Sequence, residues 1–202
     1  MSLIKRKALK FTTFKNEDQA REYSNKTAKK LEKINKSFIS VIKRMGISSG
    51  RVLDIGTGSG TLAISLCKEF SDINAVGIDI SKLILTFARE NAEKKNLASR
   101  IAFIESNAED LPFENESFDL VVSSNTLHLI DNPKKMFNEI DRVLKNKGKF
   151  FISDFKRNIF GLFSSHIRAS YTPKEIKEIL KESNLENWTV KNYFFWISIL
   201  RN

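Results

Sequence analysis

The chain has little cysteine, histidine or proline: one, two and three residues respectively. A single cysteine, Cys67, makes no intrachain disulfide, and no Cys/His set has the spacing of a zinc site. No metal is therefore expected. Cys67 falls among Leu62, Ala63 and Leu66 in a helical segment and reads as a small buried hydrophobe. No apolar run approaches the ~20 residues of a membrane-crossing helix. Residues 1–10, with Lys5, Arg6 and Lys7, lack the apolar stretch of a secretory leader. The chain reads as cytoplasmic, without a membrane span.

What is present suits one domain with a small appendage. The 202 residues are 41% hydrophobic and 29% charged. Net charge is +10, and its distribution is uneven: residues 1–51 carry 14 Lys/Arg against 4 Asp/Glu, so the remainder is neutral. Such an asymmetry can steer an acidic partner or substrate. It also fits a solvated basic helix.

Residues 1–16 show no period and read as a loose arm. Leu31, Ile34, Phe38, Val41, Ile42 and Met45 recur at helical spacing within a segment from Glu17 to Met45, stopped by Gly46, with a break expected near Ser24 and Asn25. Residues 1–47 are thus expected to form a basic helical lid or arm, and 48–202 the catalytic domain. From Arg51 onward short apolar strands alternate with helices: strands at 51–55, 74–78, 101–105, 118–123 and 149–154, the last entered through a turn at Lys147-Gly148. Helices are expected at 60–70, 81–95, 133–144 and 173–183. This alternation implies βαβ units in a Rossmann-like α/β fold, a mostly parallel sheet with helices on both faces. Two final β-rich runs, 188–193 and 195–200, have no helix between them and predict a C-terminal antiparallel hairpin.

The informative segment is Val52-Leu-Asp54-Ile-Gly56-Thr57-Gly58-Ser-Gly60, between a strand and a helix. Alternate glycines let the backbone turn and a ligand approach closely. A dinucleotide site requires G-x-G-x-x-G with pyrophosphate on the helix N-terminus. Here Thr61 stands at the third glycine position, and Asp54 would repel a pyrophosphate. A carboxylate there suits a cationic ligand instead. Asp79 ends the next strand, where one carboxylate can accept from both hydroxyls of a ribose. It also fits a plain helix cap.

This set, followed by Ser106-Asn107-Ala108-Glu109-Asp110-Leu-Pro-Phe113, by Phe118-Asp-Leu-Val-Val-Ser123-Ser124-Asn125, and by Leu144-Lys-Asn-Lys-Gly148 leading to Asp154, resembles the ordered motifs of class I S-adenosylmethionine-dependent methyltransferases. The likeness covers residues 50–155. Its nearest branch is the small-molecule group that includes ubiquinone and menaquinone biosynthesis enzymes. The resemblance implies S-adenosylmethionine as cofactor and S-adenosylhomocysteine as product. It places Gly56 and Gly58 against the cofactor with Asp54 near its methionine amino group, counts Thr57 and Gly60 of the same loop as cofactor-binding, and puts Asp79 on the ribose, Ile80 on the adenine, and Asn107 and Ala108 at the adenine edge. Ser123 or Ser124 would line the methionine or substrate side. Asn107 departs from the pattern, which often has Asp there.

Methyl transfer from a sulfonium is an in-line displacement dominated by positioning, and a base is needed only where the acceptor must lose a proton. His128, just past the fourth strand, is the first candidate base, and it equally fits a packing histidine. Asp154 and His166 are the weaker candidates. The fourth-strand motif of amino-methylating nucleobase enzymes, Asn/Asp-Pro-Pro-aromatic, is replaced by Ser123-Ser-Asn-Thr126, and Cys67 is misplaced for a cytosine nucleophile. The leading expectation is a small-molecule acceptor, acidic or aromatic. The alternatives are RNA or protein methylation through the basic first quarter, and a non-catalytic binding module. Few aromatics accompany the basic residues, which disfavours nucleic acid.

Overall fold

The computed structural model describes residues 4–9, 14 and 16–201. Elements run α1 (Glu17–Arg44), β1 (Ser49–Ile55), α2 (Thr61–Glu69), β2 (Asp72–Asp79), α3 (Lys82–Glu93), β3 (Ile101–Glu105) and β4 (Phe118–Ser124). After a 3-10 turn at Leu127–Leu129 come α4 (Pro133–Val143), β5 (Leu144–Phe155), a 3-10 turn at Ile159–Leu162, and α5 (Ser165–Ala169). The chain closes with α6 (Pro173–Lys181), β6 (Thr189–Asn192) and β7 (Trp196–Arg201). The sheet order is β3-β2-β1-β4-β5-β7-β6. Its first five strands are parallel, while β7 runs antiparallel to both β5 and β6.

Strand side chains alternate between two cores because the strand period is two. Val52, Leu120 and Val122 pack with α1, α2 and α3 on one face. Leu53, Ile55 and Val121 pack with α4 and α6 on the other. Both faces are thereby covered, which is why the strands read as continuous apolar runs. Thr172 and Glu175 form a reciprocal capping box that starts α6, and Asn132 caps α4 before Pro133.

Several expectations change. The helix α1 is unbroken at Ser24 and Asn25: Ser24 is buried, and Thr27 Oγ1 donates to Tyr23 O at 2.7 Å, absorbing the polar side chain within the helix. The described part of the N-terminal arm is fastened rather than loose. Ile4 is buried, Arg6 Nε donates to Ala169 O at 2.8 Å, and the Arg6 guanidinium lies 4.2 Å from the Tyr171 ring centroid. The other arm residues fall outside the described ones, apart from Phe14 and Asn16. No turn separates α4 from β5. Leu144 already pairs with Phe118, and the register then shifts, so Lys147-Gly148 lies inside an irregular strand.

Candidate active site

One cavity of about 220 Å³ opens at the carboxyl ends of β1, β2 and β4. This is where an open α/β sheet with a strand-order reversal binds ligands. The glycine loop forms its floor. Gly56, Gly58 and Gly60 all have positive φ, at 69°, 55° and 78°. A Cβ on Gly56 would stand 2.2 Å from Thr126 Oγ1, whereas one on Gly58 would meet nothing within 4 Å. Gly56 is therefore a close approach to the β4 loop, and Gly58 faces open space. Gly60 serves packing, since a Cβ there would press Phe103 at 2.8 Å, and it does not line the cavity.

Asp54 is buried on the cavity wall, where Thr57 Oγ1 donates to it at 2.7 Å. Burial pushes its pKa from 3.8 up to about 7, against the opposing pull of the Thr57 hydroxyl and the Ala63 backbone N–H. The β2 residue Gly77 makes room for Thr57, since a Cβ there would fall 2.7 Å from its hydroxyl. Asp79 accepts from Gly58 N at 3.1 Å and from Ser81 N at 3.0 Å, one bond to each carboxylate oxygen. Its pKa is raised by burial, partly offset by those N–H donors.

Next to it, Ile80 is 43% exposed although apolar, because it projects into the cavity. Asn107, Ala108 and Glu109 complete that end. Asn107 Oδ1 accepts from Glu109 N at 2.9 Å, which leaves its NH2 group to offer. Arg142 and Glu139 brace this loop, through Arg142 Nη2 to Leu111 O at 2.9 Å and Leu111 N to Glu139 Oε2 at 2.8 Å.

Ser124, Asn125 and Thr126 line the other side, but Ser123 does not: it is buried and donates to Ile55 O at 3.0 Å. Asn125 has φ +58°, an uncommon state for a non-glycine residue that gathers at functional sites. The roof comes from Phe14 and from Tyr23, Leu31 and Asn35 of α1. The sequence points to residues 1–47 as a lid or arm without singling out these side chains, and it does not point to Leu129, Ile130 or Asp131. The α1 contribution depends on which turn of the helix crosses the loop, and that is a tertiary fact.

His128, Asp154 and His166 are brought together, but none of them lines this cavity. His128 N donates to Asp154 Oδ2 at 2.6 Å, and the His128 Nδ1 lies 2.8 Å from Asp154 Oδ1. The other ring nitrogen, Nε2, lies 2.9 Å from His166 Nδ1. Both nitrogens of the buried His128 are thus engaged, one with the buried Asp154 and one with the exposed His166. Phe155, which ends β5, and Phe160 and Phe163, which follow it, do not line the cavity either, and Phe160 and Phe163 are 46% and 87% exposed.

The residues present fit S-adenosylmethionine. Among the described residues the cavity wall carries Asp54, Asp79, Glu109 and Asp131 and no Lys or Arg, which suits a ligand with a sulfonium and an ammonium group. Ser59 Oγ and Asn125 Oδ1 on that wall are buried polar atoms without a partner, the kind of atom a polar ligand satisfies.

This sheet order, with a glycine loop after β1 and an acid ending β2, defines the class I S-adenosylmethionine-dependent methyltransferase fold. Residues 48–193 match the family model described as a methyltransferase domain. An uncharacterized protein of Methanocaldococcus jannaschii is 36% identical over 77% of this chain and 74% of its own. The demethylmenaquinone methyltransferase of Porphyromonas gingivalis is 31% identical over 57% of this chain and 51% of its own, so the chain matches about half of that enzyme's length.

Among solved structures, a Methanococcus maripaludis protein described as a candidate S-adenosyl-L-methionine-dependent methyltransferase superposes with a TM-score of 0.74 at 25% identity, covering 96% of each chain. Phosphoethanolamine N-methyltransferase 2 of Haemonchus contortus, crystallised with S-adenosyl-L-methionine, gives 0.66 at 29% identity over 76% of this chain and 37% of its own. The chain belongs to the methyltransferase-domain family and is an S-adenosylmethionine-dependent enzyme of it.

Proposed function

We propose that this enzyme methylates a small, neutral and largely apolar acceptor. The observation that carries the reading is the roofed cavity, covered by Tyr23, Leu31 and Asn35 and walled, among the described residues, by four carboxylates and no cation. An acidic acceptor would face repulsion from those carboxylates, so the acidic alternative loses support and the aromatic or apolar one gains it. A folded macromolecule would have to displace α1 to reach the glycine loop. Relatives point the same way: a ubiquinone/menaquinone biosynthesis C-methyltransferase of Bartonella tribocorum is 30% identical over 64% of this chain.

The cofactor supplies an activated methyl group, so this chain's task is binding and orientation. In this reading Asp54 receives the cationic methionine end, Asp79 the ribose, and Ile80, Asn107 and Ala108 the adenine. Residues 17–35 act as the lid, with Tyr23 over the mouth. Asn125, Thr126 and Leu129 border the acceptor. We assign His128 and Asp154 a positioning role: the doubly bonded His128 fixes the 3-10 turn that presents Thr126 and Leu129. His166 extends that clamp to α5.

The test is transfer of labelled methyl groups to a panel of neutral phenols and quinols, acidic metabolites, and RNA. Turnover with the neutral class supports the reading. Turnover confined to RNA, falling steeply with salt, would replace it with the macromolecular alternative.

A further inference from the structure

We infer that the face built from residues 4–9, 155–170 and 189–201 docks on an anionic lipid bilayer. Its apolar residues stand in solvent: Ile159 is 62% exposed, Leu162 63%, Phe163 87% and Phe194 74%. They come from two segments that meet, because Phe160 and Phe195 rings lie 5.7 Å apart and Lys156 N donates to Phe195 O at 2.8 Å. Exposed apolar residues clustered in this way mark an interaction site rather than ordinary surface.

Charge selects the occupant. The three segments contain eight Lys or Arg and no Asp or Glu. Arg157 and Arg201 are committed to ion pairs with Glu175 and Asp141. Lys5, Lys7, Arg168 and Lys191 are exposed, and Lys7 N donates to Arg168 O at 3.3 Å, which sets the basic arm beside α5. Lys156 leans on the hairpin through Asn192 Oδ1 at 3.0 Å.

Two copies meeting through this face would oppose like charges. A nucleic acid would use the cations and stack on rings, but it has no use for Ile159 and Leu162. An anionic bilayer takes both: the apolar tips enter the acyl boundary and the cations meet the headgroups. The inference does not depend on what the acceptor is. It does set the cavity near the lipid, since Trp196 pairs with Phe155 at the carboxyl end of β5, the sheet edge on which the cavity opens.

The experiment is co-sedimentation of the full chain with phosphatidylcholine vesicles, with and without one third phosphatidylglycerol, in the absence of cofactor and acceptor. Sedimentation is expected with the anionic vesicles and about tenfold weaker with the neutral ones. The double substitution Phe163→Ser, Phe194→Ser should weaken it tenfold or more, and Lys191→Glu roughly fivefold. Because these side chains are exposed, circular dichroism and cofactor binding should be unchanged.

No sedimentation with anionic vesicles overturns the inference. So does a dimer, seen by sedimentation velocity, that the Phe163/Phe194 substitutions dissociate, since a second copy then covers the face. Tighter binding of a labelled single-stranded RNA than of vesicles, lost in the same variants, also overturns it. Vesicle binding with no methyl transfer to any neutral acceptor would leave this inference standing and the proposed acceptor class rejected.

Discussion

The cavity and the aromatic face share one edge of the sheet and carry opposite charge. Among the described residues the cavity wall has four carboxylates and no cation, while the segments of the face contain cations and no carboxylate. A sum over the chain, +10, hides this division. The basic first quarter suggests either an acidic partner or a solvated helix, yet the described cavity wall carries carboxylates, which suit a cation. Net charge describes solubility and long-range steering, while the site is decided by a few side chains in low dielectric.

The two regions should be separable by mutation, and the sharpest break comes at the glycine loop. Gly56→Ala puts a methyl group against Thr126 and holds an alanine at positive φ. We expect S-adenosylmethionine binding to be lost and stability to fall by on the order of 3 kcal/mol, read from the denaturant midpoint. Asp79→Ala should weaken cofactor binding by about 1–3 kcal/mol by calorimetric titration, the effect of removing a charged acceptor. Unchanged affinity would remove Asp79 from the site. Neither change should alter sedimentation with vesicles, and a parallel loss there would mean that the two regions are one.

Asp54 makes the comparison titratable. Its folded pKa, about 7, lies above the ordinary carboxyl value of 3.8. Between those values the folded chain holds a proton that the unfolded chain has released. Asp54 therefore contributes stability that is complete below pH 3.8 and lost as pH rises to about 7. Asp54→Asn should flatten that slope and stabilise the free protein at pH 8, while weakening cofactor binding. In the unmodified chain, affinity should climb about tenfold per pH unit up to about 7 and then level, because the cationic ligand selects the ionised carboxylate. A flat profile from pH 5.5 to 8 would show that Asp54 does not meet that cation. Tyr23→Ala should have the smallest effect, within about 1 kcal/mol on cofactor affinity, with faster release by stopped flow.

The sheet was legible because both of its signals are local, namely apolar runs of strand length and glycines at turns. Asp54, the glycines and Asp79 were legible for the same reason, lying within 26 consecutive residues. The irregular start of β5 was not, since Leu144 finds its place only by pairing with Phe118. The 3-10 turn at 159–162 and α5 were too short to show a period. His128 was singled out as a candidate base or a packing histidine, but Asp154 is 26 residues away, and only the fold brings its carboxylate to the ring. The acidic wall could not be read either, because Glu109 and Asp131 join Asp54 and Asp79 only through the sheet order.

The tethering of the N-terminal segment has a kinetic consequence. Beyond its Tyr23 end, the chain is fastened by Arg6 to Ala169 and Tyr171, and at its other end α1 is buried in the core through Phe38, Ile42 and Met45. The start of α1 is itself held, since Ala20 packs with Ile84 and Phe87. If α1 is the lid proposed above, a bound molecule leaves only as fast as that span lifts, and Arg6→Ala should then speed release while the atoms that hold the molecule stay unchanged.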